Sequence, residues 1–339
     1  MQSTKISYNN SFPKVRLRRN RTHSWLRNIV SETKLSVDDL ICPIFIRDQK
    51  DEKDIPSIPG VQRHNLSELI DYVGQLRELK IPAIHLFPYF NKEDRLDNVV
   101  SMLTPDNMLC RAIEELKRQI PGIGIISDVA LDCYSTHGQD GIVVDGKIDN
   151  DKTLEVISHY AQVQAAAGVD IIAPSEMMDG RIGAIREALD SHGHNDVGIL
   201  SYAAKYASGF YGPFRDAVGS KNCLGQADKK TYQMDPRNAE EAMREIALDI
   251  EEGADWIMVK PGLLYLDILK MAKEQFKIPT FAFHVSGELA MLKAAAKNGW
   301  LDYNQCLIET MYAFKRAGAD GILTYAAAEV ATLLKEGHE

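Results

Sequence analysis

Two lysines stand at the ends of apolar runs. Lys205 follows Val197-Gly-Ile-Leu-Ser-Tyr-Ala-Ala, and Lys260 closes Asp255-Trp-Ile-Met-Val. Runs of this kind form strands covered on both faces. A buried ammonium is costly unless paired, and the usual relief is a lowered pKa. A lysine that is neutral near pH 7 is a nucleophilic amine, able to form a Schiff base with a ketone or aldehyde. One such lysine is as well explained by an ion pair or a snorkelling stem. Two in equivalent positions favour covalent chemistry.

Such lysines need a frame. Eight apolar runs read as strands, at roughly 39–46, 83–88, 122–131, 169–175, 197–207, 255–260, 279–286 and 320–326. Segments of helical period lie between most of them. Leu66, Leu69, Ile70, Val73, Leu76 and Leu79 form one stripe, and Ala242, Ile246 and Ile250 another. Asp106 and Asn238 are the expected N-caps. Gly168-Val-Asp170, Gly253-Ala-Asp255 and Gly318-Ala-Asp320 each precede an apolar strand, as if a helix ended on glycine and a strand began. Eight alternating units predict a (β/α)8 TIM barrel. The alternative, a doubly wound sheet, lacks a Gly-x-Gly-x-x-Gly after any strand.

Active sites in such barrels gather at the C-terminal ends of the strands. Those ends carry Asp128 and Asp132 on strand 3, Ser175 on strand 4, Lys205 on strand 5, Lys260 on strand 6, Ser286 on strand 7 and Tyr325 on strand 8. Packing alone would place apolar residues there. Residues 208–236, between strands 5 and 6, are too long for a turn and predict a lid. Arg215, Lys221, Lys229, Lys230 and Gln233 in this segment suit a carboxylate or phosphate.

The chain has 339 residues and a net charge of −9, which argues against a general nucleic-acid binder. The first 31 residues hold seven Lys/Arg and no Asp/Glu. Residues 1–31 therefore read as a basic arm and 32–339 as the barrel domain. The arm either packs on an acidic neighbouring subunit, the preferred reading, or binds nucleic acid. No apolar core follows the N-terminal charges, so no signal peptide is expected. No run approaches the roughly 18 apolar residues of a membrane span. Cys42, Cys110, Cys133, Cys223 and Cys306 are odd in number and scattered, as expected for reduced thiols in the cytoplasm.

Several stretches, taken in order, closely resemble the 5-aminolevulinate dehydratase (porphobilinogen synthase) family from about Arg16 to Tyr325. They are Ser127-Asp-Val-Ala-Leu-Asp132 with Thr136-His-Gly-Gln-Asp-Gly141, Ala173-Pro-Ser-Glu-Met-Met-Asp-Gly-Arg181, and Tyr202-Ala-Ala-Lys-Tyr-Ala-Ser208 with Phe210-Tyr-Gly-Pro-Phe-Arg-Asp216. Met258-Val-Lys-Pro-Gly262, Tyr265-Leu-Asp267 and Val285-Ser-Gly-Glu288 complete the match. The resemblance implies condensation of two 5-aminolevulinate molecules to porphobilinogen in tetrapyrrole (haem) synthesis. It assigns Lys205 and Lys260 as the two Schiff-base lysines. Lys260 takes the substrate that supplies the propionate side chain, and Lys205 the one that supplies the acetate side chain. It places Arg215, Lys229 and Gln233 on one substrate carboxylate, Ser286 and Tyr325 on the other, and implies a homo-oligomer, commonly an octamer.

The chain departs from the family's pattern in two places. Many members carry three zinc-binding cysteines where this sequence has Ala130, Asp132 and Asp140. Cys133 alone does not build a site of three thiolates. This is the aspartate-rich variant, which the resemblance associates with no active-site zinc and with activation by magnesium. Asp132 and Asp140 then either hold a hard cation or orient amines. Glu245 matches the carboxylate of the remote, activating magnesium site. His137 is a ligand or a structural loop imidazole, and His85 and His284 read as hydrogen-bonded core histidines. The second departure is Phe283, where the family usually has tyrosine, which leaves room for a catalytically weakened relative. Rival readings are a class I Schiff-base aldolase, which needs one lysine, and a non-catalytic barrel scaffold.

Overall fold

The computed structural model describes residues 11–220, 223 and 228–337. The chain divides into two units, Met1–Lys34 and Leu35–Glu339. In the first, the described segment forms a turn of 3-10 helix at Leu17–Arg21 and a short helix at Ser24–Ile29, with no buried residue. Lys221 of the predicted lid lies outside the described residues.

The second unit is a closed barrel of eight parallel strands: β1 Leu40–Ile46, β2 Ala83–Pro88, β3 Gly124–Val129, β4 Ile171–Pro174, β5 Gly198–Lys205, β6 Trp256–Lys260, β7 Thr280–His284 and β8 Gly321–Thr324. Pairing of Leu40 with Ile322 closes the ring. The strands are almost wholly buried, because helices cover the outside and side chains fill the interior. The covering helices are α1 Leu66–Glu78, α2 Met108–Gln119, α3 Asn150–Ala166, α4 Arg181–Ser191, α5 Glu240–Glu251, α6 Leu266–Phe276, α7 Tyr303–Ala317 and α8 Ala327–Lys335. A further helix, Ser286–Lys297, lies between β7 and α7. All eight expected strands are present.

Both expected N-caps are displaced by one residue. Asn107, not Asp106, caps α2 by accepting from Cys110 N. Asn238 sits outside α5, whose N-cap is Ala239 without a side-chain bond, and its amide binds Glu241 instead.

The Gly-x-Asp echo has a structural cause. Gly168, Gly253 and Gly318 adopt φ of +94°, +108° and +108°, where a Cβ is strained. Each following aspartate reaches the preceding strand: Asp170 Oδ2 accepts from Ile125 N at 2.8 Å, Asp255 Oδ2 from Ile199 N at 2.8 Å, and Asp320 Oδ2 from Thr280 N at 2.7 Å. The motif therefore staples β4 to β3, β6 to β5 and β8 to β7 at the end of the barrel remote from the lysines.

Candidate active site

Lys205 and Lys260 are register partners on adjacent strands. A bulge in β5 makes this possible, since the step from Ser201 to Ala204 on β5 matches the shorter step from Ile257 to Val259 on β6. Strand side chains alternate faces, so Tyr202 and Lys205 would otherwise point to opposite sides. The extra residue brings both to the barrel interior, where Lys205 Nζ lies 5.9 Å and Lys260 Nζ 4.9 Å from the Tyr202 ring centroid.

Lys260 is 3% exposed. Aromatic rings surround its ammonium: Phe283 at 4.4 Å, Phe214 at 4.7 Å, Tyr202 at 4.9 Å and Tyr211 at 5.5 Å. Burial lowers its pKa to about 7, and the charge of Lys205 adds to the effect. Lys205 is better provided with acceptors. Its Nζ donates to Ser175 O and lies 3.5 Å from Asp140 Oδ2. Burial raises Asp128 to about 7, although Lys205, Lys260 and the Ser175 side chain pull the other way. A carboxyl and an amine, each shifted to about 7, thus lie close enough in the barrel interior for their charges to interact.

The lid supplies the roof. Gly209–Tyr211 and Gly212–Ala217 are helical, and Tyr211 OH donates to Lys260 O at 2.9 Å. The returning strand of the lid joins the end of β5, with Met234 N donating to Lys205 O at 3.0 Å and Ala207 N to Met234 O at 2.8 Å. Lys229 Nζ sits between Asp132 Oδ2 at 2.9 Å and Asp140 Oδ1 at 2.7 Å. Burial works against charge on Lys229 and Asp132, but mutual attraction keeps Lys229 protonated and holds Asp132 below the usual carboxylate range. Arg215 makes no hydrogen bond or ion pair with a described residue. Ser286 Oγ, Tyr325 OH and Gln233 Oε1 are buried without a hydrogen-bond partner among the described residues. Buried polar atoms in this condition are rare in folded proteins and mark places where a ligand supplies the missing bond.

Because the lid covers the lysines, neither lines the open cavity of about 990 Å³ that lies beside it. Gln139, Gln233, Met234 and Glu245 do. Glu245 is not a free surface carboxylate. Its Oε1 lies 3.3 Å from Nη1 of Arg181, a buried guanidinium that also pairs with Asp249 at 3.0 Å and Glu176 at 3.8 Å. Among the described residues no group of three His, Cys, Asp or Glu is arranged to hold a metal ion. The position between Asp132 and Asp140 is filled by an ammonium, and burial pushes the Cys133 thiol well above its ordinary pKa.

His137 is a loop imidazole, its Nδ1 accepting from Gln139 N at 3.1 Å. His284 binds Thr324 as expected, at 3.0 Å. His85 does not follow the expectation. Neither ring nitrogen has a hydrogen-bond partner among the described residues, and the ring instead stacks on Phe87 at 4.4 Å. Burial and the Lys260 charge keep it neutral. The aromatic cage was missed from sequence, although the spacing Phe210-Tyr-Gly-Pro-Phe214 in a polar loop was its signal. Glu176 and Arg181, both fully buried, were also missed as a charge cluster.

Comparison with known proteins places these residues in context. Residues 14–333 match the family model described as delta-aminolevulinic acid dehydratase. The delta-aminolevulinic acid dehydratase of Bradyrhizobium diazoefficiens is 51% identical over 322 residues, covering 95% of this chain and 91% of that protein. That of Rhodobacter capsulatus is 48% identical over 330 residues, covering 95% and 97%. The crystal structure of the Toxoplasma gondii ME49 enzyme in complex with the reaction product porphobilinogen superposes with a TM-score of 0.92 at 47% identity, covering 95% of this chain and 92% of that one.

Proposed function

This chain belongs to the delta-aminolevulinic acid dehydratase family, and from that premise we propose how its residues condense two molecules of 5-aminolevulinate to porphobilinogen. It is a lyase of the porphobilinogen synthase type. Two molecules of the amino keto acid join through one new C–C bond and one new ring C–N bond, with release of two waters. The observation that carries the reading is the pair Lys205 and Lys260, side by side in register with Lys260 desolvated among aromatic rings. A class I aldolase needs only one such lysine.

Near pH 7 a substantial fraction of Lys260 is the free amine, which attacks the ketone of one substrate; Lys205 takes the second. Each protonated imine is an electron sink that acidifies the adjacent carbon. Asp128, titrating in the same range, accepts and returns protons at these centres. Ser175 holds the Lys205 amine through its carbonyl. The hydroxyls of Ser286 and Tyr325, without hydrogen-bond partners among the described residues, receive one carboxylate. Arg215 and the side-chain amide N–H of Gln233 donate to the other, with Lys229 behind them as a charge already balanced by Asp132 and Asp140.

The aspartate-rich form of the site supports a zinc-independent enzyme. Glu245 would hold a hydrated magnesium ion, which serves assembly and not the chemistry. Such an ion takes one or two carboxylates and keeps its waters, so one carboxylate shared with Arg181 needs help from a second subunit. The basic arm of residues 1–31 suits that contact, and the assembly proposed is a homo-octamer. Among the described residues no helix is long and apolar enough to cross a membrane. All five cysteines are free, which supports a cytoplasmic location.

The test is direct. Purified protein incubated with 5-aminolevulinate should yield a pyrrole detectable with Ehrlich's reagent. Absence of pyrrole, with imine trapping at a single lysine, would favour the aldolase reading.

A further inference from the structure

The end of the lid helix Gly212–Ala217 is held by two arginines that the chemistry above does not use. Arg63 lies on a short strand paired to β1, and Arg95 in the loop after β2. They are 4% and 3% exposed. Every hydrogen bond they make to a described residue ends on a main-chain carbonyl. Arg63 Nε donates to Ala217 O at 2.7 Å and Nη2 to Asp216 O at 3.0 Å, while Arg95 Nη2 donates to Val218 O. These are three consecutive carbonyls at a helix end, where intrahelical partners run out, although Asp216 O also accepts from Gly219 N at 3.1 Å. Their other donors grip the barrel. Arg63 Nη1 reaches Glu52 O and Asp54 O, and Arg95 reaches Phe90 O and, at 2.7 Å, Asp132 O.

Position 219 has the shape this arrangement needs. Gly219 has φ of +74°, and a Cβ there would lie 2.8 Å from Arg95 Nη2 and 3.0 Å from the Tyr89 ring. Tyr89 in turn lies 4.0 Å from the Arg63 guanidinium. Burying two guanidinium ions on carbonyls alone is an expensive way to stabilise a loop, since desolvation of each charge is only partly recovered. What it secures is geometry. The same helix carries Arg215 and Phe214, whose ring stands 4.7 Å from Lys260 Nζ. Both halves of the lid also meet at Asp132, where Arg95 takes the carbonyl and Lys229 the carboxylate.

We infer that Arg63 and Arg95 are positioning residues for the condensation, latching the lid helix so that Phe214 covers Lys260 and Arg215 faces the substrate carboxylate. The inference rests on the function proposed above. Without the latch the helix C-terminus loosens, water reaches Lys260, and Arg215 loses its aim. The other groups facing Lys260 are Lys205 and Tyr202 on β5, Asp128 on β3, Asp132 and Asp140 in the loop after it, His85 on β2 and Tyr211 in the lid. Arg95 touches Asp132 among them and Arg63 touches none, so a change in the pH at which Lys260 becomes reactive reports the cover most directly in Arg63→Met.

The experiment compares wild type with Arg63→Met, Arg95→Met, Arg95→Lys and Gly219→Ala. Three quantities are read: borohydride trapping of levulinate at each lysine across pH, KM and kcat for porphobilinogen formation, and the denaturation midpoint. In the Met variants and in Gly219→Ala the half-maximal pH at Lys260 should rise by about one unit or more. KM should rise about tenfold or more, with a smaller change in kcat. Lys205 should keep its wild-type profile, and Arg95→Lys should recover part of the loss. Variants that lose only stability, with pH profile and KM unchanged, would overturn the latch. Should Arg63→Met fail to fold, Gly219→Ala and Arg95→Lys decide the matter. A wild type that makes no pyrrole defeats the proposed function instead, whatever the variants do.

Discussion

An amine becomes a nucleophile at neutral pH only when its charged form is disfavoured, and Lys260 meets that condition chiefly by burial. Phe283 strengthens it. A ring without a hydroxyl, 4.4 Å from the ammonium, offers no acceptor at that wall of the cage. The sign for pH follows. Lys260 is ammonium below about 7 and amine above it, so trapping at Lys260 should fall roughly tenfold per pH unit on the acid side. Lys260→Arg should abolish trapping there, because guanidinium does not deprotonate, and should lower turnover by several orders of magnitude. Mass mapping of levulinate adducts after borohydride checks both. Trapping at Lys260 that is flat from about pH 5 to about pH 8 would show that burial does not tune this amine.

At the scale of elements, the Gly-x-Asp repeats and the β5 bulge divide the work between the two ends of the barrel. The repeats fasten strand pairs at the end away from chemistry, so their loss should register in stability and not in catalysis. Asp255→Ala removes the acceptor of Ile199 N. Asp255 is exposed and water can replace it in part, so the cost should be about 1 kcal/mol, read as a lower urea midpoint at unchanged m. Turnover should stay within about twofold of wild type, because no group near Lys205 moves. Lost activity at unchanged stability would mean that the staple sets strand register at the active site.

At the scale of the whole molecule, the proposed magnesium ion and basic arm bear on assembly. Magnesium that binds only the assembled form stabilises that form by linkage. Sedimentation velocity with and without magnesium should therefore show a shift toward the larger species in wild type. Glu245→Ala should abolish the shift. Removing Glu245 also leaves Arg181 with Asp249 and Glu176 as its remaining ion-pair partners, so the fold should survive. A form beginning at Ser24 should assemble poorly at any magnesium concentration. Full magnesium response in Glu245→Ala would displace the ion site. Normal assembly of the truncated form would reopen the nucleic-acid reading of the arm.

The eight strands, the polar residues at their C-terminal ends and the long loop after β5 were legible in one dimension. Strand burial on both faces leaves a continuous apolar run, and a charge that ends such a run stands out. The helix starts were less legible, since Asp106 and Asn107 are both good caps and only packing chooses between them. The sequence could name Lys205 and Lys260, but not that they stand side by side. That depends on one extra residue in β5, which turns Tyr202 and Lys205 to the same face and is invisible without the partner strand. Resemblance could match Glu245 to a magnesium-site carboxylate, but not show that it meets Arg181, 64 positions away in the chain. Composition and period are local properties and survive in the sequence. Register, the pairing of buried charges and the orphaned nitrogens of His85 are relations between distant segments, and only the closed barrel brings those segments together.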